Sequence, residues 1–262
     1  MDTHFAAIFR RQISTEMRRR QHEALTRLFS GRATWFWLFT EPLFRAIFLA
    51  FVFSAVRVRN IGGVDVVLWV MVGLLAFFTF RRTAQQSTNG IGANRALFAY
   101  RQIKPVDTVL VRGVFEGFLM VIVTGLLLAG AALFGHGAMP ADPLLFLVAF
   151  FCLWLIGLGF GLMASVVSEL VPEAGRVVNM VMMPLYLISG VVFPLSVVPQ
   201  PYREWLMLNP LAHGLEAARL GFVTNYHATP ELSLNYLVGF ALLSVFLGLA
   251  LHRHFALRLA TQ

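Results

Sequence analysis

Six long apolar runs constrain the fold of this chain more than any other feature. They lie at 33–56, 64–80, 114–134, 143–167, 176–190 and 234–251. A helix needs about 20 consecutive, mostly apolar residues to cross the hydrocarbon core of a bilayer. Charged residues make up only 13% of the sequence, whereas soluble domains hold about 25%. We therefore predict an all-α polytopic membrane protein with six transmembrane helices and no room for a soluble catalytic domain.

The basic residues are concentrated on one side of these predicted spans. Arginines crowd the segment before the first run, the segment 81–112 holds another group with Lys104, and Arg253 and Arg258 follow the last run. Cytoplasmic loops of membrane proteins carry this excess, so we place both termini in the cytoplasm. The net charge of +8 thus reflects membrane topology rather than nucleic-acid binding. The predicted organisation is a cytoplasmic segment 1–32, a membrane domain 33–252 and a short tail 253–262.

The N-terminal segment has the pattern of an amphipathic interface helix. Phe5, Phe9, Ile13 and Met17 recur every four residues among arginines. Such a helix lies in the plane of a membrane with its basic face on anionic lipids. We predict that it binds the inner leaflet, although a basic tail that only sets the topology would show the same charges.

The first predicted span carries two charges, Glu41 and Arg45. Residues four apart share one helix face, with the acidic residue in the favourable N-terminal position. Charges inside a membrane pair with each other and face the protein interior or a wet cavity. We predict an ion pair, either along a transport pathway or fixing helix packing alone.

The segment 188–210, ISGVVFPLSVVPQPYREWLMLNP, is apolar but broken by prolines. Pro194, Pro199, Pro201 and Pro210 leave pieces too short to cross a core of about 30 Å. Irregular backbone at membrane depth is tolerated only inside protein or along a water-filled cavity. We predict re-entrant half-helices at 191–198, 202–208 and 211–222, which roof a pathway from the outer side. An amphipathic cap on the membrane surface is the other interpretation.

The segment 92–104 is polar at its ends and helix-like between them. Asn94 is positioned to cap a short helix that ends before Pro105. A short amphipathic helix on the cytoplasmic side is suited to docking a soluble partner, although it also fits a plain connector. The next cytoplasmic turn, SELVPEAGR at 168–176, is short and acidic.

Other polar and small residues point to packing rather than chemistry. Gly113 and Gly117, and then Gly157, Gly161 and Ser165, have the four-residue spacing that lets membrane helices approach closely. The lone Cys152 lies in an apolar run and suits a packed core. We expect Glu116, His252 and His254 near the membrane interface.

Sequence motifs for ATP binding, metal binding and nucleophilic catalysis are missing from this chain. It holds no phosphate-binding GxxxxGK[ST] loop, no HExxH, no CxxC and no GxSxG pattern. His213 and Glu216 share a helix face, but without a third ligand we interpret them as the polar face of a half-helix. The sequence therefore predicts no enzyme and no bound cofactor or metal.

The string LYLISGVVFPLSVVPQPYREWLMLNPLAHGLEAARLGF at 185–222 resembles the carboxy-terminal signature of ABC-2 type exporter permeases. The matching positions are Ser189, Gly190, Phe193, Pro194, Pro199, Asn209, Pro210, Leu211, His213, Glu216 and Arg219. The EPL at 41–43 and NRALFAYRQIKP at 94–105 resemble, less specifically, the first span and the cytoplasmic coupling loop of that family. The chain is most similar to the branch that exports capsular polysaccharide in Gram-negative bacteria. The acidic-basic motif common between the fourth and fifth spans is not clear in SELVPEAGR.

The resemblance implies a homodimer joined to two copies of a separate ABC ATPase, which binds ATP and Mg. It implies a multi-pass protein of the bacterial inner membrane that moves a lipid-linked acidic polysaccharide to the periplasm. There the polymer would pass to periplasmic and outer-membrane export proteins.

The same resemblance, together with the patterns above, assigns roles to three sets of residues. The ATPase-coupling set is Asn94, Arg95, Leu97, Phe98, Tyr100, Glu169 and Glu173. The pathway and substrate set is Glu41, Arg45, Arg81, Arg82, Trp35, Trp37, Tyr186 and Phe193. The re-entrant gate set is Pro194, Pro199, Trp205, Asn209, Pro210, His213, Glu216 and Arg219.

Other functions fit the sequence less well. An ABC-2 permease for O-antigen or a teichoic-type polymer would look similar. A drug or lipid exporter would not need basic residues at the entrance to its pathway. An intramembrane lipid-modifying enzyme would need acid-base or nucleophilic residues that meet at one depth in the membrane. A structural scaffold would leave the proline-broken segment unexplained.

Overall fold

The computed structural model describes residue 44 and residues 60–61, 64–94, 104–133, 139–171, 173–223 and 226–261. All of these except residue 44 belong to one compact unit, Ala46–Gln262. Two short strands, β1 (Asn60–Ile61) and β2 (Val64–Asp65), pair antiparallel. The helices are α1 (Val66–Thr88), α2 (Pro105–Leu133), α3 (Pro143–Leu170), α4 (Ala174–Ile188), α5 (Tyr202–Leu206), α6 (Pro210–Phe222), α7 (Leu234–His254) and α8 (Ala256–Thr261). A 3-10 turn lies at Leu195–Val197.

Four of the described helices, α1, α2, α3 and α7, are long and apolar enough to cross a membrane. They correspond to four of the six predicted spans, so a polytopic helical fold is confirmed. Helix α4 matches the predicted run 176–190, but its 15 residues rise only about 22 Å. The predicted first span, 33–56, lies outside the described residues apart from Phe44.

Helix α1 extends beyond its predicted end at residue 80, and the prediction that Arg81 and Arg82 lie in a loop is wrong. The helix continues to Thr88 because the segment after residue 80 is rich in good helix formers, arginine, alanine and glutamine. Thr83 and Ser87 on this extension are fully buried. The polar residues after residue 80 therefore do not mark the end of the helix.

Helix α2 begins nine residues before the predicted boundary at 114. Pro105 occupies its first turn, where a missing N–H costs nothing. The backbone N–H of Lys104 donates to Asp107 Oδ2 at 3.0 Å. This local bond and the proline start the helix in a polar stretch that hydropathy alone assigns to a loop.

Three other helices begin at side-chain caps. Asp142 Oδ1 accepts from the backbone N–H of Leu144 and Leu145 at the start of α3. Asn209 Oδ1 accepts from Leu211 N at the start of α6, and Ser233 Oγ accepts from Tyr236 N at the start of α7. Each cap satisfies a backbone donor that has no partner within its helix.

Helix α3 is the centre of the fold, and its glycines bring two helices close to it. A Cβ atom on Gly157 would lie 2.6 Å from Phe80 O, and one on Gly161 would lie 3.0 Å from Ala84 O. On another face, a Cβ atom on Gly159 would lie 2.6 Å from Val245 N. The packing prediction for Gly157 and Gly161 is thus confirmed. Helices α1 and α3 run in the same direction, because the later residue on α3, Gly161, contacts the later residue on α1, Ala84.

Helix α2 packs on α3 in the opposite direction. Gly113 lies against Leu158 and Gly117 lies against Trp154. The indole Nε1 of Trp154 donates to Gly113 O at 2.8 Å. Beyond Gly117 the two helices separate, and among the described residues no heavy atom lies within 4 Å of a Cβ built on Gly125 or Gly130.

This packing also places two further residues. Cys152 is a buried free thiol, as predicted for a core position. His252 is buried near the end of α7, and its Nε2 lies 3.0 Å from Ser165 Oγ; its depth near the membrane interface stays a prediction. The small Ser165 on α3 leaves room for the imidazole, so the ring packs inward.

Candidate functional site

Helix α6 is short, buried and antiparallel to α3. A Cβ atom on Gly214 would lie 2.6 Å from Leu153 Cδ2, and one on Gly221 would lie 2.6 Å from Phe146 N. Eleven of its 13 residues are buried. The helix therefore lies against only the half of α3 that is nearest Pro143, which we call the gate end of the fold.

Arg219 is the centre of a buried polar network on α6. Its side chain is 2% exposed, and its guanidinium carbon lies 3.7 Å from the centre of the Trp69 ring on α1. Nη1 donates to Gly190 O at 2.9 Å and to Glu216 Oε1 at 3.4 Å. A cation stacked on an indole and removed from solvent contributes about 2 kcal/mol or more, so Arg219 ties α6 to α1 and to the turn after α4.

Gly73 on α1 makes space for this arginine. A Cβ atom at position 73 would collide with Arg219 Nη2. The guanidinium therefore fits between Trp69 and α6 only because residue 73 has no side chain.

Glu216 balances the charge of Arg219 and holds the segment that follows α6. Its Oε1 accepts from the hydroxyl of Tyr226 at 2.9 Å, and its Oε2 accepts from Thr229 N at 3.3 Å. Burial, and then the nearby charge of Glu216, raise the pKa of the Tyr226 hydroxyl, which stays protonated and donates. The carboxylate is 1% exposed, so its hydrogen bonds replace the water it loses.

His213 uses both ring nitrogens for structural contacts. Nδ1 accepts from Ser233 N at 3.1 Å, which leaves Nε2 to donate to Met207 O at 2.7 Å. This pattern needs a neutral imidazole with its proton on Nε2. Among the described residues no group of three or more metal-ligating side chains is placed to hold an ion, and His213 has no free nitrogen to offer.

Asn209 joins the start of α6 to the end of α4. While Oδ1 caps α6, Nδ2 donates to Ser189 Oγ at 2.9 Å. The next residue after Ser189, Gly190, has a φ of 76°, a conformation that favours glycine. The turn at 189–190 thus ends α4 and presents the Gly190 carbonyl to Arg219.

The structure therefore brings together most of the predicted gate set. Asn209, His213, Glu216 and Arg219 lie in or beside one network, and their contacts are with the protein itself. Pro194 and Pro199 flank the 3-10 turn before α5, whereas Trp205 is separate, with 72% of its surface exposed. Their roles in a gate stay predictions.

Sequence reasoning missed the partners of this network, Trp69, Gly73, Tyr226 and Thr229. Trp69 and Gly73 lie in a run that reads as an ordinary span, and their contact with Arg219 is formed across about 150 positions of sequence. Tyr226 lies ten residues after Glu216 and has no distinguishing pattern around it. The sequence offered one indication of these partners: a charged residue predicted to be buried needs a partner to compensate its charge.

The predicted pathway residues are partly described. Arg82 Nε lies 3.3 Å from Glu116 Oε2, with 18% and 9% of the two side chains exposed. Glu116 therefore faces α1, and its depth near the membrane interface stays a prediction. The Arg81 guanidinium lies 5.9 Å from the Phe78 ring centre.

The ring of Tyr186, another predicted pathway residue, packs edge-on against Phe77, with 5.1 Å between the ring centres. Glu41, Arg45, Trp35 and Trp37 lie outside the described residues, and Phe193 is 36% exposed.

Parts of the coupling set meet at the opposite end of the fold, which we call the coupling end. A Cβ atom on Gly92, in the turn that ends at Asn94, would lie 3.3 Å from Glu169 Oε1 near the end of α3. Asn94 Nδ2 donates to Gly90 O at 2.7 Å, and Glu173 is exposed at the start of α4. Arg95, Leu97, Phe98 and Tyr100 lie outside the described residues.

The described residues form a polytopic helical fold with a buried charged network at one end and a cluster of loop and helix termini at the other. The family model "ABC-2 type transporter" matches residues 7–223. The chain belongs to the ABC-2 type transporter family, as the signature at 185–222 predicted.

Several named proteins align with most of this chain. It is 32% identical to the polysialic acid transport protein KpsM of Escherichia coli over 231 residues, which cover 88% of this chain and 89% of that protein. It is 26% identical to the capsule polysaccharide export inner-membrane protein CtrC of Neisseria meningitidis serogroup A, over 89% of this chain and 88% of that one. It is 25% identical to the capsule polysaccharide export inner-membrane protein BexB of Haemophilus influenzae, with the same two coverages.

Proposed function

We propose that this chain is the permease subunit of an ATP-driven exporter that moves capsular polysaccharide across the bacterial inner membrane. The observation that carries the proposal is the 32% identity, over 88% of the chain, to a polysialic acid transport protein. The other two relatives are named as capsule polysaccharide export proteins of the inner membrane. The cargo proposed here is lipid-linked and acidic, because the basic residues at the cytoplasmic side pair readily with carboxylate and phosphate.

Deleting the gene in its host tests this function. Electron microscopy should show acidic polymer stranded in the cytoplasm beneath a bare surface, and a plasmid-borne copy should restore the capsule. A normal capsule in the deletion strain would reject this cargo and favour a drug or lipid exporter of the same family.

The proposed architecture has six spans. Helix α6 is a half-helix of a re-entrant segment, whose chain enters the membrane from the gate end and returns to the same end. Between Phe146 and Leu153 of α3, α6 covers a length of about 10 Å, a third of a bilayer core of about 30 Å. The burial of α6 inside protein supports this geometry, because polar backbone ends and charges are tolerated at membrane depth only there. In this orientation the gate end is periplasmic and both chain termini are cytoplasmic.

Cysteine labelling tests the exposure of the segment that precedes α6. Val197 is 75% exposed and Val191 is completely buried. With an impermeant maleimide applied to the periplasmic side, Val197→Cys should react at least tenfold faster than Val191→Cys. The native Cys152 is buried and serves as the unreactive background. Equal protection of both sites would contradict a periplasmic location for this segment.

We propose that a second copy of the chain and two separate ATPase subunits complete the exporter, and that the ATPases bind ATP and Mg. The exposed apolar side chains of α4, among them Met180, Met183 and Leu187, support a second copy beside it. The coupling end supports ATPase docking, because Glu169 and the Gly92 turn converge there.

Charge reversal tests this docking surface. Glu173→Arg is expected to reduce ATPase co-purification and capsule export several-fold, because it reverses an exposed charge at the coupling end. Glu204→Arg reverses another exposed acidic residue, on α5 at the gate end; it is the matched control and should leave co-purification unchanged. Unchanged binding and export in Glu173→Arg would place the ATPase elsewhere.

A further inference from the structure

A polar cavity of about 250 Å³ lies at the coupling end, between the end of α1 and the first turns of α4. Five of the residues that line it carry polar or charged side chains: Gln85, Thr88 and Asn89 from the α1 side, and Arg176 and Asn179 from α4. The polar end of α1, which hydropathy alone assigns to a loop, therefore forms one wall of a cavity.

Helical spacing brings the three α1-side residues to one wall. Thr88 and Asn89 follow Gln85 by three and four residues, so they share one helix face with it. The backbone N–H of Asn89 still donates to Gln85 O at 3.2 Å, which continues the helical pattern. The neighbouring Thr83 and Ser87 pack against glycines of α3 instead. One face of this extension thus packs on α3, while the other lines the cavity.

Two side-chain amides hold the walls of the cavity together. Gln85 Nε2 donates to Asn179 Oδ1 at 3.4 Å, and Asn179 Nδ2 donates to Gly175 O at 3.0 Å. Each amide has two N–H donors and an oxygen with two lone pairs, so both keep further donors and acceptors. A wall that donates and accepts suits the hydroxyls of a sugar, since each hydroxyl also does both.

Arg176 adds an uncompensated positive charge to this wall. Within the described part of the chain, its side chain makes no hydrogen bond or ion pair. By contrast, Arg82, Arg203 and Arg219 each meet a carboxylate. A guanidinium binds a carboxylate through two parallel hydrogen bonds, so the cavity offers a carboxylate site beside amides suited to hydroxyls.

We propose that this cavity binds one carboxylate-bearing sugar unit of the exported polymer. The carboxylate binds Arg176, the ring hydroxyls bind the amides of Gln85 and Asn179, and the C–H face of the ring lies on Val178, which also lines the cavity. Drug-sized ligands occupy pockets of about 300–1,000 Å³, so this smaller cavity suits a single ring. The inference rests on the proposed function, which supplies an acidic polysaccharide at the cytoplasmic side.

Isothermal titration calorimetry on the purified full chain in detergent micelles tests the site. The probes are glucuronic acid and N-acetylneuraminic acid, with glucose as the uncharged comparison. We expect at least one sugar acid to bind saturably and glucose to bind at least tenfold more weakly. Arg176→Gln should raise the dissociation constant for the sugar acid at least tenfold, because it removes the charge that holds the carboxylate.

Arg253→Gln is the matched control. Arg253 is an exposed arginine in the last turn of α7 that does not line the cavity, so this variant should stay within twofold of the parent. If Arg176→Gln does not accumulate, Asn179→Leu removes an amide from the same wall and should also weaken binding. The proposal is overturned if neither sugar acid binds better than glucose, or if Arg176→Gln and Arg253→Gln weaken binding equally.

A phosphatidylglycerol headgroup has related chemistry, a phosphate beside hydroxyls. Adding this lipid to the micelles should leave the affinity for the sugar acid within twofold, whereas competitive displacement would identify a lipid site and overturn the assignment to the polymer. The gene deletion separates this inference from the proposed function. A lost capsule without sugar-acid binding by the purified chain rejects this cavity alone, whereas a normal capsule rejects the export function and, with it, the assignment to the polymer.

Discussion

Arg219→Leu is expected to abolish capsule export and to reduce strongly the amount of protein in the membrane. The substitution leaves the Glu216 carboxylate, 1% exposed, without its cation. Breaking a buried ion pair from one side costs about 3–5 kcal/mol. It also removes the donors to Gly190 O and Val191 O and the stacking on Trp69. Detergent-solubilised protein should show a markedly lower unfolding temperature.

The double variant Arg219→Leu with Glu216→Leu should recover part of the lost stability, because no unpaired charge remains. The matched control is Arg203→Ala on α5, whose partner Glu231 lies 2.7 Å away, with 16% and 21% of the two side chains exposed. Solvent reaches this pair and leaves no buried charge stranded, so its loss costs less than that of a buried pair and export should continue. A single Arg219→Leu variant as stable and active as the Arg203→Ala control would show that the buried network does not hold α6.

Gly157→Leu is expected to prevent correct assembly of the membrane domain. The new side chain would start 2.6 Å from the backbone oxygen of Phe80, an atom that cannot move away by a rotamer change. Overpacking a close-packed core costs about 1–3 kcal/mol, and more where the backbone must move. Limited proteolysis and the monodispersity of the purified protein should both report the loss.

Gly239→Leu provides the control for that substitution. Gly239 lies in α7, another long apolar helix, but no atom of the part of the chain that the structure describes lies within 4 Å of its Cβ position. This variant should behave like the parent. If Gly157→Leu were also monodisperse and protease-resistant, the close approach of α1 to α3 would not be required for the fold.

Sequence reasoning predicted the elements that depend on local composition. Long apolar runs located four spans, and the prolines that divide the apolar segment placed the predicted half-helix 211–222 within one residue of α6. Spacing alone also identified the packing role of Gly157 and Gly161, because close helix approach needs small residues at four-residue intervals.

Features that depend on distant contacts could not be read in this way. Arg81 and Arg82 looked like loop residues because their charge dominated the hydropathy, whereas packing on α3 keeps the segment helical. The partners of Arg219 were invisible because Trp69 and Gly73 resemble any other positions of a span. The gate residues were recognised as a set through the family signature, but only the coordinates show that they bind one another.

Helix α4 connects the two ends of the fold, and within one chain few of its side chains are buried. Of its 15 residues only Met182 is buried. Asn179, in the second turn, accepts from Gln85, and Ser189, just beyond the last residue, accepts from Asn209. Within one chain, an axial shift of this helix would be opposed by the Tyr186–Phe77 ring contact and by polar bonds such as the one from Gln85 to Asn179. A piston-like stroke of α4, begun beside Glu173, would reach the Ser189–Asn209 bond directly and release the start of α6.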